Sequence, residues 1–427
     1  MTTIAATRED MFEKIREFVR RDFEPHFGAR KGEFPSNPLW GRLRELGSEL
    51  WLDTGSLDES GALWSEEMSA LTTNNTLLNR EVQSGQYDVL IKEAAALLEP
   101  YGLVEQELVL EICFILNACH ALELVETYDA LVSVEEHTDL AHDLEKAVET
   151  AERYHAICPE RFIVKMPMTP AGLLATRRVC EDGMAVNHTL GFSARQNYVI
   201  ARIGNPDYVN VFMGRLNSFV IDNELGPGEN VGERATLASQ AGLRALAESH
   251  DVLSRQIGAS LRSGDQIRDL AGLDVFTMPP AAAGEFVGSG FVLADINDRT
   301  GEDYPVTLNE GVDRDAIRID TLWDINDEVV ACLDALDKED IDSMTPDQLV
   351  AFFGEHGCGD VLVPWSDEQI ATSAAEGKIP KLDNWRDALA SGAVGLDSLM
   401  NLGGLNAFIK DQADMDERVR NVLSSET

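Results

Sequence analysis

Between residues 49 and 278 the chain repeats one pattern, a short apolar run followed by a stretch with apolar residues at helical spacing. The runs fall at 49–53 (ELWLD), 70–72, 130–134, 161–165 (RFIVK), 184–189, 208–213, 256–261 and 274–278. Short apolar runs bounded by turn residues read as strands buried on both faces, and a 3.6-residue period between them reads as helix. Such helical stretches lie at 89–98, 140–155, 170–181 and 233–249, and the long interval 73–129 has room for two or three more helices. Eight strands, separated by seven intervals that each hold a helix within about 230 residues, fit one closed (β/α)8 barrel. An open doubly wound sheet would be favoured by a glycine fingerprint after its first strand. The residues there are Thr54-Gly55-Ser56-Leu57, which is not GxGxxG, so the barrel is the expected fold.

The same pattern sets the domain boundaries. Residues 1–48 are expected to form an N-terminal helical segment: Met11, Ile15, Phe18 and Val19 sit at helical spacing within 9–24, and a Gly/Pro-containing loop runs on through Pro35. The barrel itself is expected over 49–284. Beyond it the alternation stops, and 285–427 reads as a mainly helical C-terminal extension packed on the barrel. Within that extension 286–293 looks strand-like, 295–303 is turn-rich, and helices are expected at 322–336, 346–356, 367–376, 385–390 and 408–423.

Charge excludes whole classes of partner. The chain has 75 acidic against 35 basic residues, a net charge of −40. Nucleic acid and anionic membrane surfaces both require clustered positive charge, so neither is an expected partner. No apolar stretch in the sequence reads as reaching the roughly 18 residues of a spanning helix, and residues 1–22 lack the apolar core of a signal peptide. The chain reads as soluble and cytoplasmic. Only nine positions are lysine, and so acidic a surface fits either a salty environment, where self-repulsion is screened, or a habit of the lineage. The six cysteines are scattered with no CxxC and read as free thiols, while the eight histidines show no HExxH or other ligand spacing. Asp295-Ile296-Asn297-Asp298 begins like a calcium loop but lacks its Gly and Glu in register, and 226–232 is glycine-rich without a P-loop Lys-Ser/Thr. No metal and no cofactor are expected.

Active sites of such barrels form where the strands end. Polar residues at those ends are Asp53, Asn74, Glu135, Lys165, Asn187, Thr189, Arg215, Ser260 and Arg262. Lys165 ends the run Phe162-Ile163-Val164 and is expected to point into an apolar interior. Burial disfavours the charged form of an amine, and a neutral amine attacks carbonyls. A structural lysine paired with Asp53 or Glu135 is the alternative for the same pattern. Asp53 and Glu135, on different strands, can divide acid and base work, and two arginines from late strands suit a phosphate.

Seven segments then carry a resemblance. Trp51-Leu52-Asp53-Thr54-Gly55, Leu71-Thr72-Thr73-Asn74, Val132-Ser133-Val134-Glu135, Ile163-Val164-Lys165-Met166-Pro167, Val186-Asn187-His188-Thr189-Leu190-Gly191-Phe192-Ser193, Phe212-Met213-Gly214-Arg215 and Gly258-Ala259-Ser260-Leu261-Arg262 resemble transaldolases, in that family's order, over about residues 45–280. The resemblance implies a class I aldolase barrel in which Lys165 is the Schiff-base lysine and Asp53 the acid/base for carbon–carbon cleavage. It makes Glu135 and Thr189 the holders of a proton-relaying water. Asn74 and Asn187 would grip the dihydroxyacetone hydroxyls, and Arg215, Ser260 and Arg262 the sugar phosphate. Glu135 and Phe212 stand where the fructose-6-phosphate aldolases of the superfamily have Gln and Tyr, which favours transfer over simple cleavage. The sequence departs from the family's pattern at Asn75, where Pro is usual, and at Asn210, where Ser is usual. The expected activity is transfer of a dihydroxyacetone unit between sugar phosphates in the pentose phosphate pathway. Alternatives are an aldolase acting on another sugar and a non-catalytic barrel with an interaction role. A homodimer is implied by resemblance alone.

Overall fold

A computed structural model of the chain describes residues 7–28 and 33–425, so part of the loop expected before Pro35 lies outside the described residues. Eight parallel strands close into a barrel in chain order: β1 (Glu49–Asp53), β2 (Met68–Thr72), β3 (Leu131–Glu135), β4 (Phe162–Pro167), β5 (Val186–Thr189), β6 (Tyr208–Phe212), β7 (Arg255–Ala259) and β8 (Val275–Met278). Each of the eight expected barrel strands is present, with ends shifted by up to two residues. The fold is a (β/α)8 barrel.

Among the described residues two helices precede β1, α1 (Arg8–Val19) and α2 (Pro38–Glu45). Between the strands run α3 (Leu57–Leu63), α4 (Asn75–Gln83), α5 (Asp88–Leu98), α6 (Glu105–Tyr128), α7 (Leu144–Ile157), α8 (Pro170–Glu181), α9 (Ala194–Gly204), α10 (Met213–Asp222), α11 (Val231–Ala247) and α12 (Gly264–Asp269). After β8 come α13 (Pro280–Gly288), α14 (Asp327–Leu336), α15 (Pro346–Glu355), α16 (Asp367–Glu376), α17 (Arg386–Ala390) and α18 (Leu396–Ser424). Several crossovers start with a side-chain cap at the strand end. Ser56, Asn74, Thr169, Ser193 and Ser263 each accept a backbone N–H of the first helical turn, an interaction worth about 1 kcal/mol apiece.

Two expectations fail for physical reasons. Residues 286–293 form no strand: the first three continue α13, opened by Pro280 at its first position and by three alanines, and 293–295 make a 3-10 turn. A closed barrel leaves no edge for a ninth strand to join. The helix expected at 408–423 begins twelve residues earlier, because packing overrides the cost of Gly403 and Gly404, about 1 kcal/mol each.

The reading that no segment matches a spanning helix is also corrected. By length and composition α6 is long and apolar enough to cross a membrane, and 78% of its most apolar window is buried inside the fold. Its Ile112, Ile115, Leu116 and Val125 are buried in the main hydrophobic core. Each such side chain contributes about 1.5–3 kcal/mol by leaving water. A helix apolar around most of its circumference over its central turns is what a core position demands.

The C-terminal extension is bolted to the barrel through buried polar groups. Arg195 on α9 donates to Asp397 through Nε (2.8 Å) and Nη2 (2.7 Å), and through Nη1 to Asp360 (2.8 Å). Ser193 adds a bond to Asp397 at 2.6 Å. Helix α18 thereby lies across the end of the barrel where the strands finish, touching α4, α5 and α6.

Candidate active site

Strand register decides which side chains meet. Glu135 pairs with Lys165 across β3 and β4, and Lys165 pairs with Asn187 across β4 and β5. Paired residues of parallel strands share a face, so all three turn toward the barrel axis. Lys165 is only 5% exposed, and its Nζ donates to the Thr73 carbonyl at 2.9 Å. Asn187 donates to Ser133 Oγ (3.1 Å) and accepts from Asn210 Nδ2 (3.0 Å). The Thr189 hydroxyl is buried with no hydrogen-bond partner among the described residues, which leaves it free for a water or a substrate.

Two carboxyls face this amine. Burial pushes the Asp53 carboxyl above the usual carboxylate range, while the positive charges of Lys165 and Arg262 pull it back. The Thr72 hydroxyl donates to Asp53 Oδ1 at 2.8 Å and is itself 2.5 Å from Thr277 Oγ1, a relay that fixes the carboxylate's orientation. Burial likewise raises the Glu135 carboxyl, opposed by Lys165 and by the Asn75 backbone N–H, which donates to Glu135 Oε2 at 3.1 Å. That donor exists only because residue 75 is not proline. Glu136, next in the chain, is buried with neither oxygen hydrogen-bonded among the described residues. Burial and the neighbouring Glu135 charge push it up to about 8.

A cavity of ≈ 200 Å³ opens above these groups. Nine of the ten residues expected from the sequence line it: Asp53, Asn74, Lys165, Asn187, Thr189, Phe212, Arg215, Ser260 and Arg262. Glu135 lines instead a smaller neighbouring cavity that it shares with Asn75, Asn117 and His137. Asn74 has a second task, since its Oδ1 caps α4 by accepting the Leu77 N–H at 2.9 Å.

The far end of the cavity is cationic. Arg215 lies over the rings of Phe212 (5.1 Å) and Phe408 (5.3 Å), and its Nη1 has no hydrogen-bond partner among the described residues. Burial and the Arg262 charge lower its guanidinium to about 10. Neither Arg215 nor Arg262 has an ion pair among the described residues, and two such guanidiniums lining one cavity suit an anion. Ser260 takes a left-handed backbone (φ 60°) after β7, and strain of this kind collects at functional sites. The loop it starts passes so close that a Cβ on Gly214 would sit 2.2 Å from the Ser260 carbonyl.

Sequence reasoning missed Thr72 and Thr277, although both lie on predicted strands. It also missed Lys378 and Phe408, which line the cavity from the C-terminal extension. Nothing in the local sequence marks those two, because only the docking of the extension brings them in.

One cluster has donors a metal could use. The ligand atoms of Cys113, His137 and Asp416 lie within 4.8 Å of one another. Its wiring is that of hydrogen bonds. The Asp139 N–H donates to His137 Nδ1 (3.1 Å), which assigns the ring proton to Nε2, and that N–H faces Asp416 Oδ1 at 3.1 Å. Gln412 donates to the same oxygen at 2.8 Å. A metal on Nε2 would need the lone pair that this tautomer has given to a proton, so the cluster ties α18 to the segment after β3 through His137 and to α6 through Cys113, whose Sγ donates to Asp416 Oδ1 at 3.5 Å.

Comparison with known proteins gives the family. The family described as transaldolase/fructose-6-phosphate aldolase matches residues 50–323. This chain belongs to the transaldolase/fructose-6-phosphate aldolase family. It is 32% identical over 237 residues to a probable transaldolase of Thermus thermophilus, covering 55% of this chain and 87% of that protein. A transaldolase of Vibrio cholerae is 27% identical over 273 residues, 62% of this chain and 84% of that protein. A transaldolase 2 of Nostoc is 28% identical over 210 residues, 46% of this chain and 51% of that protein. Membership supports an enzyme of the transferase/aldolase kind, with transaldolase-type aldolase activity. All ten expected site residues fall inside the matched span, whereas Lys378 and Phe408 lie beyond its end at residue 323.

Proposed function

We propose that this protein transfers a dihydroxyacetone unit from a ketose phosphate such as fructose 6-phosphate to an aldose phosphate, through a Schiff base on Lys165. The observation that carries the reading is one amine, buried at the base of a polar cavity, with two carboxyls beside it and two guanidiniums, neither with an ion pair among the described residues, at the other end. That arrangement matches a phosphorylated sugar with its keto carbon at the amine and its phosphate at Arg215 and Arg262.

In the proposed mechanism the neutral amine of Lys165 adds to the ketone carbon. Loss of water from the carbinolamine gives an iminium, with Glu135 and a water held at Thr189 moving the protons. Asp53 then takes the proton of the C4 hydroxyl as the C3–C4 bond breaks, and the electron pair of that bond passes into the iminium to give an enamine. The aldehyde departs. An acceptor such as erythrose 4-phosphate is attacked by the enamine carbon, Asp53 returns its proton to the new hydroxyl, and hydrolysis of the iminium frees the product ketose. Asn74 and Asn187 hold the dihydroxyacetone hydroxyls, and Phe212 walls the chamber. We assign this reaction to the pentose phosphate pathway in the cytoplasm.

Borohydride reduction in the presence of fructose 6-phosphate tests the mechanism. One adduct on Lys165, absent from Lys165→Met, is expected, and an adduct elsewhere or none refutes it. Assays with and without erythrose 4-phosphate separate transfer, which requires the acceptor, from simple cleavage, which does not.

A further inference from the structure

We propose that Lys378, supplied by the C-terminal extension, is a third phosphate-binding cation of the cavity and favours phosphorylated over unphosphorylated sugars. The proposal rests on the sugar-phosphate reading above. Lys378 lines the same cavity as Arg215, Ser260 and Arg262, although it lies 116 positions after Arg262 in the chain.

Its exposed ammonium has no ion pair or hydrogen bond among the described residues; Lys92, Lys338 and Lys381 share that, and of these four only Lys378 lines the cavity. Lys14, Lys146 and Lys410 each sit within 3.1 Å of a carboxylate. The acid nearest in sequence, Glu376, is otherwise engaged: it accepts from the Lys381 N–H (3.1 Å), Asn384 Nδ2 (2.6 Å) and Trp385 Nε1 (3.0 Å). Those bonds shape the strap 377–382 and leave Lys378 without a counter-ion.

The strap is held on both sides. Asn223, just past the end of α10, donates to the Pro380 carbonyl (3.0 Å) and accepts the Leu382 N–H (2.7 Å). On the other side it lies on α18 where a Cβ on Gly403 would come within 3.3 Å of the Pro380 ring. A lysine on an anchored strap at the rim of a cavity that already holds two arginines brings a third cation within reach of one bound anion. A phosphate monoester carries close to two negative charges at neutral pH, and three convergent cations match it better than two. Lysine serves here as a point charge on a flexible stem, while the arginines supply directed donors.

The experiment uses the full-length protein with Lys378→Gln and Lys378→Arg. The readout is the ratio of kcat/KM for fructose 6-phosphate to kcat/KM for fructose. Lys378→Gln is expected to lower that ratio about tenfold, and Lys378→Arg to keep it within about threefold of wild type. A ratio unchanged within about twofold in Lys378→Gln overturns the proposal. Calorimetric titration with inorganic phosphate gives a readout independent of catalysis. Binding about tenfold weaker in Lys378→Gln supports the proposal, and equal binding refutes it even if no sugar proves to be a substrate. Failure of the functional reading appears separately, as wild-type protein that forms no borohydride adduct with fructose 6-phosphate.

Discussion

Replacing Glu136 by glutamine should make the protein more stable as pH rises, by an amount the structure sets. Glu136 is buried, neither carboxyl oxygen has a hydrogen-bond partner among the described residues, and burial with the Glu135 charge raises it from an ordinary 4.5 to about 8. The folded chain therefore keeps a proton that the unfolded chain releases above about pH 4.5. Stability from this group is full below that pH and is lost as pH rises toward 8. Between pH 4.5 and pH 7 the loss spans about 2.5 pH units at ~1.4 kcal/mol each, hence about 3 kcal/mol. Glutamine carries no titrating proton and escapes this loss. Whatever constant cost its amide adds in the pocket cancels when only the pH dependence is compared. Urea unfolding of both proteins from pH 4.5 to 8 gives the difference in unfolding free energy at each pH. That difference should climb by about 3 kcal/mol in favour of Glu136→Gln between pH 4.5 and 7, and flatten above pH 8. A flat difference curve would mean that Glu136 is ionised or solvated in the folded protein, and would sink the argument.

Three further outcomes are expected. Asn75→Pro deletes the N–H that donates to Glu135 at a first helical position, where proline is well tolerated; the acid limb of kcat/KM should move to higher pH, and an unmoved limb means that this bond does not tune Glu135. Asp53→Asn should lower kcat about 10²–10⁴-fold while the borohydride adduct on Lys165 still forms, and loss of the adduct would assign Asp53 to imine formation instead. Arg195→Met strands Asp360 and Asp397, both buried, and should cost about 3–5 kcal/mol in urea unfolding, although Arg318 still reaches Asp360; a cost under about 1 kcal/mol would show that water replaces the guanidinium.

Much of this protein was legible in its sequence, because the constraints involved are local. A strand buried on both faces must be apolar throughout, and a crossover helix must show a 3.6-residue stripe, so the (β/α)8 repeat was written along residues 49–278. A polar residue that ends such an apolar run is conspicuous, which is why Asp53, Lys165 and Arg215 stood out. What the sequence withheld depends on contacts between distant segments. Glu135 and Asn75 are 60 positions apart, and only the closed barrel brings one's backbone N–H to the other's carboxylate. Glu136 looks like any acidic residue until helices bury it. The α6 window has a membrane-like composition, and only its packed surroundings give it a core role. Helix α18 carries two glycines that argue against it, yet Gly403 and Gly404 let it approach the Pro380 ring and Arg215. Lys378 and Phe408 reach the cavity because that helix docks there. Periodicity along the chain fixes which face of a segment is buried, whereas the partner that covers it is chosen by packing across the whole fold.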